Sequence, residues 1–425
     1  MIIENWVVNI LIMLNIQCSM VKPYIYSVKR TLLLITGLLL LLATEILRVY
    51  FIMPFPGSQK SNTIDIAYFI GKYIWWIRAL GLILFLPAAV TVFRHSKVWK
   101  KVVLGIFVLF YVYVFYLFNF KFLADKMFYQ PEHKLLAAVA ANKVDSNKLV
   151  IGVQINGEAR AYPIEIIGYH HQVQDTVGGA PVLVTYCTVC RTGRVYSPFV
   201  NGKYERFRLV GMDHFNAMFE DATTKSWWRQ VNGTAIAGPL KGTALQEIPS
   251  EQTRLAAWIN AYPGTKILQP DPVFADQYKG LKGFDDGTIP SSLEKRDSGS
   301  WQFKSWVVGV QINGKAKAYD WNELVKQRII HDTIDHTGIV LVLEKDNASF
   351  HAWASTIGDT TQLRFSLNEE ATVLKDNTGS VWNMNGDCIE GELKGNKLRG
   401  IQSYQEFWHS WLSFHPETIR YTPEK

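Results

Sequence analysis

The chain has 425 residues, room for more than one domain, and 48% of them are hydrophobic, a high share for a soluble protein. The formal net charge of +7 comes partly from short basic loops between apolar runs. No basic stripe suggests a nucleic-acid partner.

The apolar excess lies in the first third. Thr31–Ile52, Ala67–Phe93 and Val102–Phe120 are each long enough for a bilayer core of about 30 Å, which takes about 20 residues. Glu45, Arg48, Lys72 and Arg78 fall near segment ends or where neighbouring helices can face them. A shorter run, Trp6–Met20, carries Asn9, Asn15 and Gln17 and reads as a weak or an interfacial helix. Lys22, Lys29 and Arg30 precede the first clear span, and Arg94, Lys97, Lys100 and Lys101 separate the second from the third. The loop between them, 53–65, holds only Lys60. By the positive-inside rule both basic loops are cytoplasmic. The expectation is a multi-pass cell membrane protein, partnered by the lipid bilayer, whose chain after Lys121 is extracytoplasmic (periplasmic). The spans themselves export it, so no cleaved signal is required.

From Asn147 onward the sequence repeats itself. Gly152-Val153-Gln154-Ile155-Asn156-Gly157 returns as Gly309-Val310-Gln311-Ile312-Asn313-Gly314, shifted by 157. Ala159-Arg160-Ala161-Tyr162 returns as Ala316-Lys317-Ala318-Tyr319, and Asp175-Thr176 as Asp332-Thr333. Further on the shift is 153, with Trp258 matching Trp411 and Pro263 matching Pro416. Five Asn-Gly pairs, at 156, 201, 232, 313 and 385, supply the positive φ of two-residue hairpin turns. Short helices are expected at Ile164–His170, Glu251–Ala261, Trp321–Gln327 and Tyr404–Ser413. The fold expected is an α-helical membrane region followed by a β-rich α+β tandem repeat with a pseudo-two-fold axis. Its parts are 1–121 (membrane), 122–269 (first unit), 270–305 (linker) and 306–425 (second, degenerate unit).

Duplication separates scaffold from site. Asp175, Asp332, Trp228 and Trp382 occur in both units and belong to the scaffold. Glu344 and Asn347 stand where the first unit has Cys187 and Cys190, and Gln327 and Arg328 where it has His170 and His171. The chemistry is therefore expected in the first unit.

There the apolar run Val182–Tyr186 ends in Cys187-Thr188-Val189-Cys190, with Arg191 and Arg194 following. Two thiols at this spacing can form a disulfide ring, share a soft metal or pass electrons. The bland alternative is a structural disulfide or two half-buried thiols in an oxidising compartment. Arg191 and Arg194 are expected to be close enough to favour a thiolate and lower its pKa. A c-type haem would need His after the second Cys, where Arg191 stands. A zinc ribbon would need a second Cys pair, but Cys18 lies in the membrane region and Cys388 stands alone. A thioredoxin would need a helix where 195–200 and 204–210 read as strands.

His170 is expected as a base for a thiol or, joining Cys187 and Cys190, as a third ligand for copper or zinc, with His214 a further candidate ligand. Gly211–Met218 otherwise reads as a β-edge turning into a helix, with Met in the core. The turn at Val177-Gly178-Gly179 should return the next strand alongside the helix end, placing a His170 ring nitrogen within about 8 Å of a sulfur.

The motifs resemble the domain-of-unknown-function family numbered 3179. Gly157-Glu158-Ala159-Arg160-Ala161-Tyr162-Pro163 is similar to its opening signature, and Tyr169-His170 through Asp175-Thr176-Val177-Gly178-Gly179 to its second. Pro181 through Tyr186-Cys187-Thr188-Val189-Cys190 is similar to the third. Ser226-Trp227 through Gly233, with Gly238-Pro239-Leu240, is similar to the fourth. The resemblance covers nearly all of Asn147–Tyr421, the degenerate second half included. Arg191 stands where relatives often have Gly, and His171 where many have Glu, which weakens a role for His171. The family has no established activity, so the resemblance implies a fold and a site and no reaction.

Two functions follow as expectations. The first is a membrane-anchored extracytoplasmic protein with a thiol-redox or soft-metal site. The second is a non-catalytic binding module whose aromatic cleft, lined by Tyr186, Trp227, His171 and His214, takes a peptide or glycan. No Ser-His-Asp or paired-carboxylate pattern supports a hydrolase.

Overall fold

The computed structural model describes residues 28–131, 134–358 and 361–423. The chain divides into two compact units, one ending at Met127 and the other starting at Phe128. The run Trp6–Met20 lies outside the described residues.

In the first unit Val28–Tyr50, Ile74–His95 and Val98–Lys121 are long and apolar enough to cross a membrane. The second apolar run is broken at Tyr73 into a short helix, Ile64–Lys72, and the long one. Charges in such helices must find partners, and these do. The buried Glu45 carboxylate accepts Arg78 Nε and Nη2, each at 2.7 Å, and Asn119 Nδ2 at 2.8 Å. Arg48 Nη2 donates to Asn119 Oδ1 at 2.9 Å.

The second unit is β-rich, and one order of elements occurs twice in it. Strands Leu149–Ile155 and Glu158–Pro163, helix Ile164–His170 and strands Gln172–Val177, Ala180–Cys187 and Thr192–Tyr196 come first. Strands Trp306–Ile312 and Lys315–Asp320, helix Trp321–Gln327 and strands Ile329–Ile334, Thr337–Leu343 and Phe350–Ala354 follow the same order. In each half the second strand has a hairpin neighbour on one side and a late parallel strand on the other: Lys266–Leu268 in one half, Ile419–Arg420 in the other. Contacts match as well. Tyr162 and Tyr319 donate their hydroxyls to Asp175 and Asp332 at 2.9 and 2.8 Å. Trp228 and Trp382 donate Nε1–H to Asp221 and Asp376 at 2.9 and 2.8 Å.

Gly152 and Gly309 sit against the rings of Trp258 and Trp411. An added Cβ would lie 2.3 Å from the first ring and 2.2 Å from the second. Gly152→Ala is accordingly expected to overpack the site and destabilise by about 1–3 kcal/mol. A chemical-denaturation curve on the full-length protein checks this, and an unchanged midpoint would contradict the packing.

Three of the five Asn-Gly pairs form the expected two-residue turns, with positive φ at both residues: 156–157, 201–202 and 313–314. At 232–233 and 385–386 only the glycine has positive φ, and the loops are longer. Two predicted helices begin late. Glu251–Arg254 and Ser403–Phe407 are strands that pair with Leu149–Ile155 and Trp306–Ile312, leaving Leu255–Ala261 and Trp408–Phe414 as helices. Sheet pairing outweighed the local helical pattern there. Nor is the stretch expected as a linker loose. Tyr278, Phe284 and Ile289 are buried in the core of the first half.

Candidate functional site

The Cys187–Cys190 corner closes the hairpin between strands Ala180–Cys187 and Thr192–Tyr196. Both cysteines are free and fully buried. A second hairpin, Phe207–Asp213 with Asn216–Asp221, covers them. Its two-residue tip, His214-Phe215, has φ of 49° and 66°, values such turns normally obtain from Asn-Gly. That tip aims one carbonyl at both sulfurs: Phe215 O lies 3.4 Å from Cys187 Sγ and 3.3 Å from Cys190 Sγ. Gly211–Met218 is thus a hairpin, with Met212 and Met218 buried in the core.

The two thiols differ in environment. Burial pushes Cys187 up, but the Cys190 thiol and the backbone N–H groups of Ala217, Cys190 and Val189 outweigh it. Cys187 ends below the ordinary thiol value. Burial and the neighbouring Cys187 push Cys190 well above that value. A hydrogen bond with Ser410 opposes this, and Ser410 Oγ in turn donates to Glu406 Oε2 at 3.1 Å. Glu406 also holds Arg194 Nη2 at 2.5 Å and Thr192 Oγ1 at 3.0 Å through Oε1. His409 stacks on Phe303 with ring centroids 4.2 Å apart and donates Nε2–H to the Val189 carbonyl at 3.2 Å. The Phe407 N–H donates to Cys190 O at 3.0 Å.

Glu406, His409 and Ser410 come from the second half and were missed in the sequence. A signal for them existed. At the shift of 153 their counterparts are Thr253, Ala256 and Ala257, so they too are features of one half only.

Other expected site residues are placed elsewhere. The reversal at Gly178-Gly179 forms, with φ of 53° and 79°, and Tyr186 N–H donates to His171 O at 2.9 Å. The His170 ring nevertheless points into another cluster. Its Nδ1 faces Tyr129 O at 2.5 Å and its Nε2 faces Tyr278 Oη at 2.8 Å. With both nitrogens engaged, it is neither ligand nor thiol base as it stands. His214 Nδ1 is paired with Asp213 Oδ1 at 2.7 Å, and Asp213 also takes Arg229. Among the described residues no three His, Cys, Asp or Glu side chains are grouped to hold a metal ion. The copper or zinc set Cys187, Cys190, His170 and His214 is therefore not assembled.

Arg191 also turns away from the sulfurs. It donates to Phe284 O at 2.9 Å, Asp285 O at 3.0 Å and Gln405 Oε1 at 2.9 Å. What lowers Cys187 is backbone N–H groups and the partner thiol, and no guanidinium. The expected aromatic cleft is closed too. Tyr186, Trp227 and His171 are 0%, 5% and 3% exposed, and Trp227 donates Nε1–H to Glu220 at 2.9 Å.

His171 stacks on Phe128, with centroids 4.5 Å apart, and burial depresses it from 6.5 to about 4. A depressed imidazole adds stability that is full above 6.5 and is lost as pH falls toward the folded value. From 6.5 to about 4 this amounts to about 3 kcal/mol. His409, depressed to about 3 by burial, acts in the same sense. His171→Asn, which suits the residue's φ of 61°, is expected to reduce the acid slope of the denaturation midpoint, leaving the part due to the other depressed groups, among them His170, His331, His409 and His415. An unaltered slope would count against the assignment.

Against the family models, the one described as protein of unknown function (DUF3179) matches residues 130–418. The chain belongs to this family. No curated protein and no solved structure matches it. The DUF3179 match spans both halves of the β-rich unit, including Cys187, Cys190 and the second-half residues Glu406, His409 and Ser410.

Proposed function

We propose that this DUF3179 protein is a membrane-anchored, extracytoplasmic dithiol protein whose Cys187–Cys190 pair cycles between two thiols and a disulfide. One observation carries the reading: two free thiols share the Phe215 carbonyl at 3.4 and 3.3 Å and are shifted in opposite directions. That asymmetry suits a nucleophile and a resolving thiol. With a low-molecular-weight disulfide as oxidant, the Cys187 thiolate attacks one sulfur, its S–S bond breaks, and one thiolate leaves. Cys190 gives its proton toward Ser410 and Glu406 and attacks the Cys187 sulfur. The second thiolate then leaves. The protein has lost two electrons and the oxidant has gained them.

The outer location rests on the basic loops at 22–30 and 94–101. The two halves are read as copies of one unit related by a pseudo-two-fold axis. Gln252 Nε2 donates to Gln405 Oε1 at 2.9 Å, and these residues occupy equivalent positions at the shift of 153.

The test is alkylation of the full-length protein in membranes after treatment with a small disulfide and then with reductant. A reversible Cys187–Cys190 disulfide is expected, with Cys190→Ser accumulating the mixed disulfide and Cys187→Ser unreactive. Thiols that stay reduced under oxidant and become alkylatable only on denaturation would sink the redox reading.

A further inference from the structure

A second polar centre lies away from the sulfurs, where the two halves of the β-rich unit meet. It is a cavity of about 380 Å³. Arg191, Arg254 and Arg296 line it together with Trp306, Asp285 and Gln405. The Arg191 and Arg296 guanidiniums lie 3.8 and 4.2 Å from the centre of the Trp306 ring. Neutral groups satisfy most of this charge. Arg191 donates to two carbonyls and to Gln405, and Arg296 Nη2 donates to Asn322 Oδ1 at 2.5 Å. Arg254 reaches Asp286 at 3.5 Å.

Three buried polar atoms of the lining have no hydrogen-bond partner among the described residues: Arg296 Nε, Trp306 Nε1 and Asp285 Oδ1. Two are N–H donors, and Trp306 is only 5% exposed. Burying a donor unpaired costs about 1–3 kcal/mol, so a built cavity that orphans two beside three guanidiniums calls for an acceptor. Paired guanidiniums select planar or tetrahedral oxyanions, because their N–H groups match the oxygen spacing. The carboxylates Asp286 and Asp346 also line the cavity, and they limit the net positive charge there. Burial pushes Asp285 upward, so its free oxygen takes a proton more readily and can then donate.

We infer that this cavity binds a small oxyanion, a carboxylate or phosphate group, held by Arg296 Nε, Trp306 Nε1 and the Arg191 guanidinium. The site is independent of the dithiol cycle and needs no redox chemistry.

The experiment uses full-length protein in detergent micelles, titrated separately with inorganic phosphate and with succinate by calorimetry, alongside thermal unfolding. Saturable binding with Kd of about 1 mM or tighter is expected for at least one of them. A rise of the unfolding midpoint with ligand concentration should accompany it. Phosphate alone binding identifies a phosphate site, and succinate alone a carboxylate site. Arg296→Gln is expected to weaken binding at least tenfold, about 1.4 kcal/mol. Trp306→Phe keeps an aromatic ring, removes the N–H, and should weaken it several-fold, which decides the matter if Arg296→Gln fails to fold. No saturable binding of either anion, or unchanged affinity in both folded variants, overturns the assignment.

Discussion

Glu406→Ala is expected to destabilise the β-rich unit by about 3–5 kcal/mol, the cost of breaking a buried ion pair from one side. Glu406 is fully buried and Arg194 is 2% exposed. The Arg194 guanidinium lies between the Val231 and Gly193 carbonyls, Thr192 Oγ1 and the Tyr404 ring, whose centre is 3.2 Å away. None of these neutralises it. Truncating Glu406 leaves the buried guanidinium with only the half-buried Glu247 carboxylate, 3.7 Å from Nε, and Ser410 Oγ without its acceptor. Chemical denaturation of the full-length protein, followed by tryptophan signals, reads the loss. Glu406→Gln keeps the volume and two polar atoms, so it should lose less than the alanine variant. Equal midpoints for wild type and Glu406→Ala would remove the pair from any account of how the halves are joined.

Trp411→Ala is expected to cost a similar amount, about 3–5 kcal/mol, for a different reason. The indole is 0% exposed, packs on Gly309, and donates Nε1–H to Thr418 at 2.8 Å. Its removal leaves a cavity bounded by a sheet that cannot collapse, together with an unpaired hydroxyl. The helix that carries Trp411 also carries His409 and Ser410, so the effect should extend to the thiols. In Trp411→Ala the alkylation rates of Cys187 and Cys190 are expected to diverge further, because the Ser410 contact that eases ionisation of Cys190 loosens. A variant that loses stability while leaving the ratio of the two rates unchanged would show that the helix end is held by Phe407 and Glu406 alone.

Periodicity and turn chemistry determined much of this molecule in advance. Apolar length identified the helices able to cross a bilayer, because about 20 apolar residues have few other stable uses. Asn-Gly pairs placed hairpins, since positive φ at two successive positions is a local requirement that those residues meet cheaply. Helix Ile164–His170 was legible for the same reason: its end at His171, with φ of 61°, is a local event. The Cys-x-x-Cys corner was legible as a corner.

Tertiary structure decided what each polar group faces. His170 and Cys187 are joined by a reversal that the two glycines made predictable. Which side of the chain the imidazole takes, however, depends on Tyr129 and Tyr278, 41 and 108 residues away. Arg191 follows Cys190 in sequence, yet its guanidinium belongs to Phe284, Gln405 and Trp306. A long side chain reaches over its neighbours, so adjacency in sequence says little about its charge partner. The strands Glu251–Arg254 and Ser403–Phe407 looked helical because the following helices share their apolar pattern. Only long-range pairing with Leu149–Ile155 and Trp306–Ile312 made them strands. The surroundings of the cysteines come from Phe215, Glu406, His409 and Ser410, three of them more than 200 residues downstream. Local sequence encodes turns and spans, whereas the electrostatics of a buried pair is set by whichever distant segments the fold packs against it.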